Sequence, residues 1–252
     1  MEARDIKELD AETADLVQEF MTFLDCPCHV IRPMENDDEI MQLYQAAYRR
    51  GREQGFTPVL VKCDDILLEC MEENSGADQE SDTINSRAVA EFRTDILGEQ
   101  LPLPPFALRP NWNEQVYGSL EEGWKVEQFA SYWSRETDST DYLLLAEIPV
   151  AQPWQVFAYL PFGGWNDCPD TLALMAAAKH WYEQYGAVPA AISHDELEFY
   201  LPKPVQEQQA KLLAVQHAAF CPDRIEQCGD GCTIGRLAGD IANSTVWYFW
   251  WD

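Results

Sequence analysis

The stretch PFGGWNDCPD combines a glycine pair, a cysteine and a proline at the point where a helix is predicted to begin. Pro169 suits the first turn of that helix, so Cys168 or Asp167 would be the N-cap and the thiol would lie near the positive helix end. Such a position lowers the pKa of a thiol and favours a reactive or anion-binding site. The alternative, a helix cap beside a small buried sulfur, is the more common situation. A phosphate cradle is weakly indicated, because neither a Walker lysine pattern nor G-x-G-x-x-G is present.

The stretch SHDELEF places a histidine beside carboxylates. His194, Asp195 and Glu198 offer a base and its acidic partners, which general acid–base catalysis requires. At the hairpin predicted here, however, a His-Asp pair is more often plain turn chemistry with a local side-chain hydrogen bond. Both interpretations stay open.

The cysteines and remaining histidines do not predict a metal centre. In FCPDRIEQCGDGC the cysteines are Cys221, Cys228 and Cys232. Their spacing lacks a C-x-x-C knuckle and places no fourth ligand. CPCH, with Cys26, Cys28 and His29, could contribute only to a composite site across the two halves of the chain. His180 and His217 fall within helical patterns and are expected to be partly buried and satisfied. We therefore predict no metal and no cofactor.

The charge balance excludes some ligands. Among 252 residues, 17 Lys and Arg stand against 44 Asp and Glu, which gives a net charge of −27. A chain this acidic repels phosphate backbones and anionic lipid surfaces, which argues against nucleic acid and membranes as direct ligands. It favours either simple solubility through an acidic surface, the more common situation, or a basic protein partner met by electrostatic steering. The oligomeric state stays open.

The location expected from the sequence is the cytoplasm. No apolar run reaches the ~18 residues that a membrane span requires. The acidic start MEARDIKELDAETADL has neither the cationic region nor the apolar region of a signal peptide. The eight cysteines are therefore expected to be reduced thiols.

Residues 1–110 predict an N-terminal α/β module. A helix near 10–24 precedes the strand HVIRP, an amphipathic helix that Gly55 ends, and the buried strand TPVLVKC. This order predicts a β-α-β unit with parallel pairing. Residues 64–99 form an acidic helical excursion, and LPLPPFALRP is a proline-stiffened connector toward the second module.

Residues 111–252 predict a C-terminal domain of α+β class. YLLLAEIPV and WQVFAYLP are expected as strands, VPAAIS and ELEFYLP as a hairpin, and helices are expected between them and the closing strand. The order resembles a split β-α-β, ferredoxin-like mixed sheet with an added helix, against which the N-terminal module packs.

The chain closes on the aromatic run WYFWW, which is costly to leave in water. As a strand it would direct Trp247, Phe249 and Trp251 to one face and Tyr248 and Trp250 to the other. We expect the first set to be core. The second set is covered by the N-terminal module or lines a concave binding surface.

Three short motifs, FGGWNDCPD, FCPDRIEQ and WYFWWD, resemble in order the bacterial family catalogued as domain of unknown function 4253. The similarity runs from about Trp154 to Asp252, and GFTPVLVKCDDILLE is similar to the upstream region of longer members. The family has no established reaction, so the resemblance implies motif positions rather than catalytic roles. They are Trp165, Asn166, Cys168, Cys221, Asp223 and Asp252.

One interpretation is purely structural: the motifs are caps, turns and core, and function lies in the acidic loops. Two functional hypotheses stand beside it, and whether the protein is an enzyme stays open. The first is an acidic intracellular binding protein, immunity-like toward a basic partner, an analogy of class that the acidic composition supports. The second is a small-molecule enzyme, hydrolase- or transferase-like, that uses a Cys/His/Asp pocket. The candidate pocket is Trp165, Asn166, Asp167, Cys168, His194, Asp195, Cys221, Asp223, Trp250 and Asp252.

Overall fold

The computed structural model of the protein describes residues 9–77, 84–107, 114–134, 136–227 and 232–252. The strands are β1 (Cys28–Ile31), β2 (Thr57–Lys62), β3 (Leu143–Ile148), β4 (Val188–Ile192), β5 (Glu196–Tyr200) and β6 (Val246–Trp250). The α-helices are α1 (Ala11–Leu24), α2 (Asp38–Gln54), α3 (Asp65–Ser75), α4 (Ser86–Gly98), α5 (Glu114–Tyr117), α6 (Thr171–Tyr185), α7 (Glu207–Phe220), α8 (Asp223–Glu226) and α9 (Ile234–Ile241). Short 3₁₀ helices lie at Pro105–Ala107 and Pro153–Ala158.

These six strands form one mixed sheet in the order β1-β3-β2-β4-β5-β6. β2 pairs with β4 in parallel, and the other neighbouring strands in this sheet are antiparallel. The protein is therefore of the α+β class, as the sequence predicts. The predicted hairpin of β4 and β5 and the predicted closing strand β6 are confirmed.

The predicted parallel pairing within the N-terminal half is wrong. β1, α2 and β2 form as expected, but β3 lies between the two strands and pairs antiparallel with both. The split β-α-β unit is thus β1-α2-β2, with its inserted strand from residue 143 onward. β3 is suited to this place because Leu143 to Ala146 are buried, and a strand buried on both faces is typical of a sheet interior. A ferredoxin-like split within the C-terminal half is not confirmed.

The predicted strand WQVFAYLP is also wrong, because Pro153 starts a 3₁₀ helix that buries Val156, Phe157 and Ala158 in succession. Proline fixes φ and removes a backbone donor, which disfavours a central strand. The division of the chain near residue 110 stays a prediction. β1 and β2 of the first part and β3 to β6 of the second share the same sheet.

One face of the sheet carries most of the core and covers the first set of tail aromatics. The rings of Trp181 and Phe249 stack at 5.3 Å, and Trp247 meets Trp181 edge-on at 5.9 Å. Trp247, Phe249 and Trp251 are buried with α6, α7 and α9, which explains why this run folds as a strand. Tyr248 and Trp250 point to the other face and stay half-buried.

The other face is covered by α2 and by the irregular segment 126–133. Tyr44 of α2 is buried there against Phe129, with ring centroids 5.1 Å apart. In the described part of the chain, no helix is long and apolar enough to cross a membrane.

The expectation that all eight cysteines are reduced is wrong for Cys232, which is disulfide-bonded. Cys26, Cys28, Cys63, Cys70, Cys168 and Cys221 are free. The remaining cysteine, Cys228, lies outside the described residues.

Candidate functional site

A cluster of polar side chains lies where the parallel strands β2 and β4 end. Asp64 follows β2 and His194 follows β4, and the carboxyl ends of parallel strands are a common place for ligands in α/β sheets. Asp64 is the N-cap of α3, where its Oδ1 accepts a hydrogen bond from the Leu67 backbone at 2.7 Å. Its Oδ2 is left facing His194 Nδ1 at 3.3 Å.

His194 lies between two carboxylates. Besides Asp64 at Nδ1, Asp195 Oδ1 lies 3.5 Å from Nε2. The hydrogen bond to Asp64, with the negative charges of Asp64 and Asp195, raises the pKa of His194 against the opposing effects of burial and Lys62. Both ring nitrogens thus face acids, and the arrangement favours a protonated, bridging imidazolium over a free base.

The second set of tail aromatics is tied to the same edge by polar contacts. Trp250 Nε1 donates to Asp195 Oδ2 at 3.1 Å, and the Tyr248 hydroxyl donates to Glu196 Oε1 at 2.6 Å. The Ser193 hydroxyl, which is fully buried, donates to Asp195 Oδ1 at 3.0 Å. Burial raises the pKa of Glu196, although the Tyr248 hydrogen bond acts to lower it. Hydrogen bonds from their polar atoms thus hold the half-buried side chains of Tyr248 and Trp250 in place.

The last residues of the described chain connect this edge to the family motifs. The Cys221 thiol donates to the Trp250 carbonyl at 2.9 Å, and the Asp252 backbone N–H donates to Asp223 Oδ2 at 3.1 Å. Asn166 Nδ2 donates to the Asp252 carbonyl at 2.8 Å. The predicted residues that this chain of contacts brings together are His194, Asp195, Trp250, Cys221, Asp223, Asn166 and Asp252.

The other predicted pocket residues lie outside this chain of contacts. Asp167 is exposed, and Trp165 is half-buried with its Nε1 lacking a hydrogen-bond partner among the described residues. Cys168 is buried, and its backbone N–H donates to the Trp165 carbonyl at 2.9 Å. None of the three makes a hydrogen bond to His194 among the described contacts.

The predicted N-cap at Cys168 or Asp167 is wrong. Asp170 caps α6 instead, with Oδ1 accepting from the Ala173 backbone at 2.9 Å, because the chain still turns through Pro169 before the helix begins at Thr171. Burial raises the pKa of the Cys168 thiol and raises that of Cys221 to about 11. Neither thiol therefore has the lowered pKa of an activated nucleophile.

The glycine pair forms a tight structural turn. Gly163 and Gly164 have φ of 88° and 78°, which side chains other than glycine rarely adopt. A Cβ on Gly163 would lie 2.5 Å from the Pro169 carbonyl oxygen. Asn74 closes the turn from α3, since its Nδ2 donates to the carbonyls of Pro161 at 2.7 Å and Gly163 at 3.0 Å.

Sequence reasoning placed Glu198 beside His194, but the structure gives it a different role. Its carboxylate is fully buried and accepts from the backbone N–H groups of Ala130 and Ser131 and from the Ser131 hydroxyl at 2.6 Å. Burial raises the pKa of Glu198 to about 7, against these hydrogen bonds, which lower it. Glu198 thus fastens the irregular segment 126–133 onto the sheet. In the sequence, the only indication of this anchoring role is that Glu198 lies within the strand ELEFY.

Asp64, Glu196 and Tyr248 were missed from the candidate pocket. Asp64 lies far from His194 in the sequence, and only the β2–β4 pairing brings the two together. Among the described residues, no group of three or more His, Cys, Asp or Glu side chains is arranged to hold a metal ion. A cavity of about 430 Å³ lies instead at the opposite, amino ends of β2 and β4, lined by residues such as Tyr48, Thr57, Tyr182 and Val188.

The protein is thus of the α+β class. Its candidate site is an acidic edge of the sheet, at which His194 lies between Asp64 and Asp195. Residues 144–252, from within β3 to the last residue, match the family model described as a domain of unknown function (DUF4253). This match confirms the resemblance that the three motifs indicate. Comparison with curated proteins and with solved structures found no match for the chain.

Proposed function

We propose that this protein binds a basic protein partner through the acidic edge where the strands end, in the manner of an immunity protein that binds a toxin. The observation that carries the proposal is the gathering of carboxylates at this edge in a chain of net charge −27. An acidic surface of this kind accelerates encounter with a cationic surface and selects against anionic partners.

The register of the sheet supports this grouping. Lys62 pairs with Leu143, so Asp141 and Asp64 lie beside the same strand ends. Glu196 pairs with Trp250, which brings the start of β5 and the end of β6 to that edge. The acids at these strand ends are Asp64, Asp65, Asp141, Asp195, Glu196 and Asp252.

The cations at the centre of this edge are already engaged. Lys62 Nζ lies 2.8 Å from Asp141 Oδ2, and His194 lies between Asp64 and Asp195. Exposed carboxylates such as Asp65 and Asp252 remain for a partner. The half-buried rings of Tyr248 and Trp250 add apolar area next to them, and aromatic residues are enriched at protein interfaces.

A small-molecule enzyme is the second candidate, and one observation favours it. His194 lies at the carboxyl ends of a parallel strand pair, where ligands commonly bind. The geometry favours the binding proposal over this one, because His194 faces two acids rather than a thiol and the nearby thiols of Cys168 and Cys221 have raised pKa values.

The test compares two variants that remove the same number of negative charges from different places. The edge variant carries Asp65→Asn and Asp252→Asn, and the control variant carries Glu12→Gln and Asp15→Asn on the exposed side of α1. Each tagged protein is used to capture partners from an extract of its source cell at low and at high salt. The affinity of a recovered partner is then measured by calorimetry.

We expect a partner of basic isoelectric point whose affinity falls steeply with salt and falls further for the edge variant than for the control. Recovery of no partner at low salt would contradict the proposal. Equal loss of affinity in the two variants would also contradict it, because charge alone rather than this edge would then set the interaction.

A further inference from the structure

We propose that Cys26 and Cys28 form a thiol–disulfide exchange pair, with Cys26 as the attacking thiol and Cys28 as the resolving thiol. The substrate class is a disulfide of low molecular weight or an exposed protein disulfide. This inference is independent of the acidic edge, because the pair lies at the start of β1 and uses none of the residues of that edge.

The geometry of the pair suits exchange. The two Sγ atoms lie 4.0 Å apart, separated in sequence by Pro27 alone. Cys26 is half-buried in the turn between α1 and β1, whereas Cys28 is buried as the first residue of β1. An incoming disulfide can therefore reach Cys26, while Cys28 is positioned behind it. Both side chains are free thiols, so the pair is in the reduced form.

The cation Arg93, which acts electrostatically on Cys26, belongs to none of the described ion pairs. Its side chain is half-buried. The guanidinium donates to the Phe23 carbonyl and lies over the Tyr159 ring, with 4.2 Å to the centroid, while its buried Nε has no partner among the described residues. A thiolate at Cys26 would add to the negative charge of Asp25 that already acts on this guanidinium, and a nearby arginine is a known feature of reactive cysteines.

The hydrogen bond between the two thiols and the charges around them determine which sulfur carries the negative charge. The hydrogen bond between the two thiols, in which either sulfur can donate, lowers the pKa of Cys26, with a smaller contribution from Arg93 and against the effects of burial, Asp25 and Glu147. The same hydrogen bond, with burial and the thiol of Cys63, raises the pKa of Cys28. The thiolate therefore belongs on the more accessible of the two sulfurs, as the order of attack requires.

The reaction balances without a cofactor. The Cys26 thiolate attacks one sulfur of a disulfide RSSR, forms a mixed disulfide and releases RS⁻, which takes up the proton that Cys26 lost. Cys28 then loses its proton and attacks the Cys26 sulfur, which forms the Cys26–Cys28 disulfide and releases the second RSH. The protein loses two electrons and two protons, and RSSR gains them as two RSH.

The experiment treats the whole protein with glutathione disulfide and follows the products by mass spectrometry of the intact chain and of the peptide that spans both residues. We expect the wild type to lose two hydrogen atoms from this peptide and to regain them with dithiothreitol. Cys28→Ser should accumulate a glutathione adduct at Cys26, and Cys26→Ser should not react at this peptide. Cys70→Ser, which removes a half-buried thiol elsewhere, is the matched control and should behave as the wild type.

A wild-type protein that forms neither the adduct nor the internal disulfide would overturn the proposal, and this result does not depend on whether a variant folds. Adduct formation at Cys70 as fast as at Cys26 would also overturn it. Arg93→Gln adds a measurement that would not change if Arg93 had only a structural role. The pH at which the rate of the first step is half-maximal should rise, and the rate at neutral pH should fall severalfold.

Discussion

At the scale of single residues, His217 occupies the least expected environment. It is fully buried between α7 and β6, with ring centroids 4.7 Å from Phe249, 4.8 Å from Trp247 and 5.1 Å from Trp181. Neither ring nitrogen has a hydrogen-bond partner among the described residues. Burial, with a smaller effect of Arg224, lowers the pKa of His217 well below its ordinary value. The sequence pattern predicted a partly buried histidine with satisfied ring nitrogens, and both parts of this prediction are wrong for His217.

Replacing this ring by an apolar side chain of similar size should stabilise the protein. His217→Leu removes two buried polar atoms without partners, each of which costs about 1–3 kcal/mol when left unsatisfied. We expect the free energy of unfolding, measured with urea at pH 7, to rise by on the order of 1 kcal/mol.

The same substitution should change the pH dependence. Below the ordinary histidine pKa of about 6.5, the unfolded chain binds a proton that folded His217 does not, so the wild type loses stability as the pH falls through this value. His217→Leu should lose less stability between pH 7 and 5, whereas His29→Gln, at an exposed position, should follow the wild type. A variant that is less stable than the wild type at both pH values would contradict this account of the site.

At the scale of elements, α9 is held by a backbone-to-backbone contact that depends on glycine. Gly235 and Gly239 are four residues apart, so they present one bare helix face to the extended segment 118–123. A Cβ on Gly235 would lie 1.9 Å from the Ser119 carbonyl oxygen, and a Cβ on Gly239 would lie 2.2 Å from that of Glu121. Glycine at these two places lets the segment lie against the helix, and no sequence pattern read alone predicted that contact.

Gly235→Ala should therefore destabilise the protein, even though alanine is the better helix former. The new methyl group must displace the backbone of 118–123, and overpacking of this kind costs about 1–3 kcal/mol. Gly98→Ala is the matched control, because α4 leaves open space around that position. There we expect a gain of about 0.5–1 kcal/mol. Chemical denaturation of the two variants checks both signs, and a stabilising Gly235→Ala would show that the contact does not form.

At the scale of the whole molecule, β3 joins the two halves of the chain in one sheet, and Trp251 lies in the core on one face of that sheet. Trp251 is buried against Phe220, with ring centroids 5.5 Å apart, while its backbone N–H donates to the Asp195 carbonyl at 3.1 Å. Because β3 lies between β1 and β2, residues from both halves meet in the same sheet. The predicted domains 1–110 and 111–252 should for this reason not unfold separately.

Trp251→Ala tests this dependence against an exposed tryptophan. Truncating a buried tryptophan costs about 3–5 kcal/mol, so we expect a large fall in the free energy of unfolding and a single cooperative transition. Trp124→Ala, at a side chain that is 76% exposed, should change stability little. Equal effects of the two substitutions, or two separate transitions, would contradict a shared core.

What the sequence could predict depended on the distance over which each signal acts. The periodicity of α2 and its end at Gly55, the β4–β5 hairpin and the alternation of β6 are local patterns, and all three form as predicted. The place of β3 between β1 and β2 depends on pairs as distant in sequence as Cys28 with Ala146 and Thr57 with Ile148, which composition and periodicity do not encode.

For the candidate site too, the sequence indicated some of the residues, whereas others could be found only from the fold. The motif residues Asn166, Cys221 and Asp252 do come together, because Asn166 and Cys221 both donate to backbone carbonyls at the end of the closing strand. Asp64, which determines the state of His194, could not be found without the β2–β4 pairing. The Arg93 guanidinium beside Cys26 likewise depends on how α4 packs on α1 and not on any local motif.

The central claim about the site is that His194 is clamped as an imidazolium between Asp64 and Asp195 at an acidic edge. NMR titration of the His194 ring tests this most directly in the wild type and in Asp64→Asn, which keeps a residue that can still cap α3. We expect the pKa of His194 to lie above the ordinary 6.5 in the wild type and to be lower in the variant. A wild-type pKa at or below 6.5, or one that Asp64→Asn leaves unchanged, would contradict the clamp and return His194 to the role of a free base.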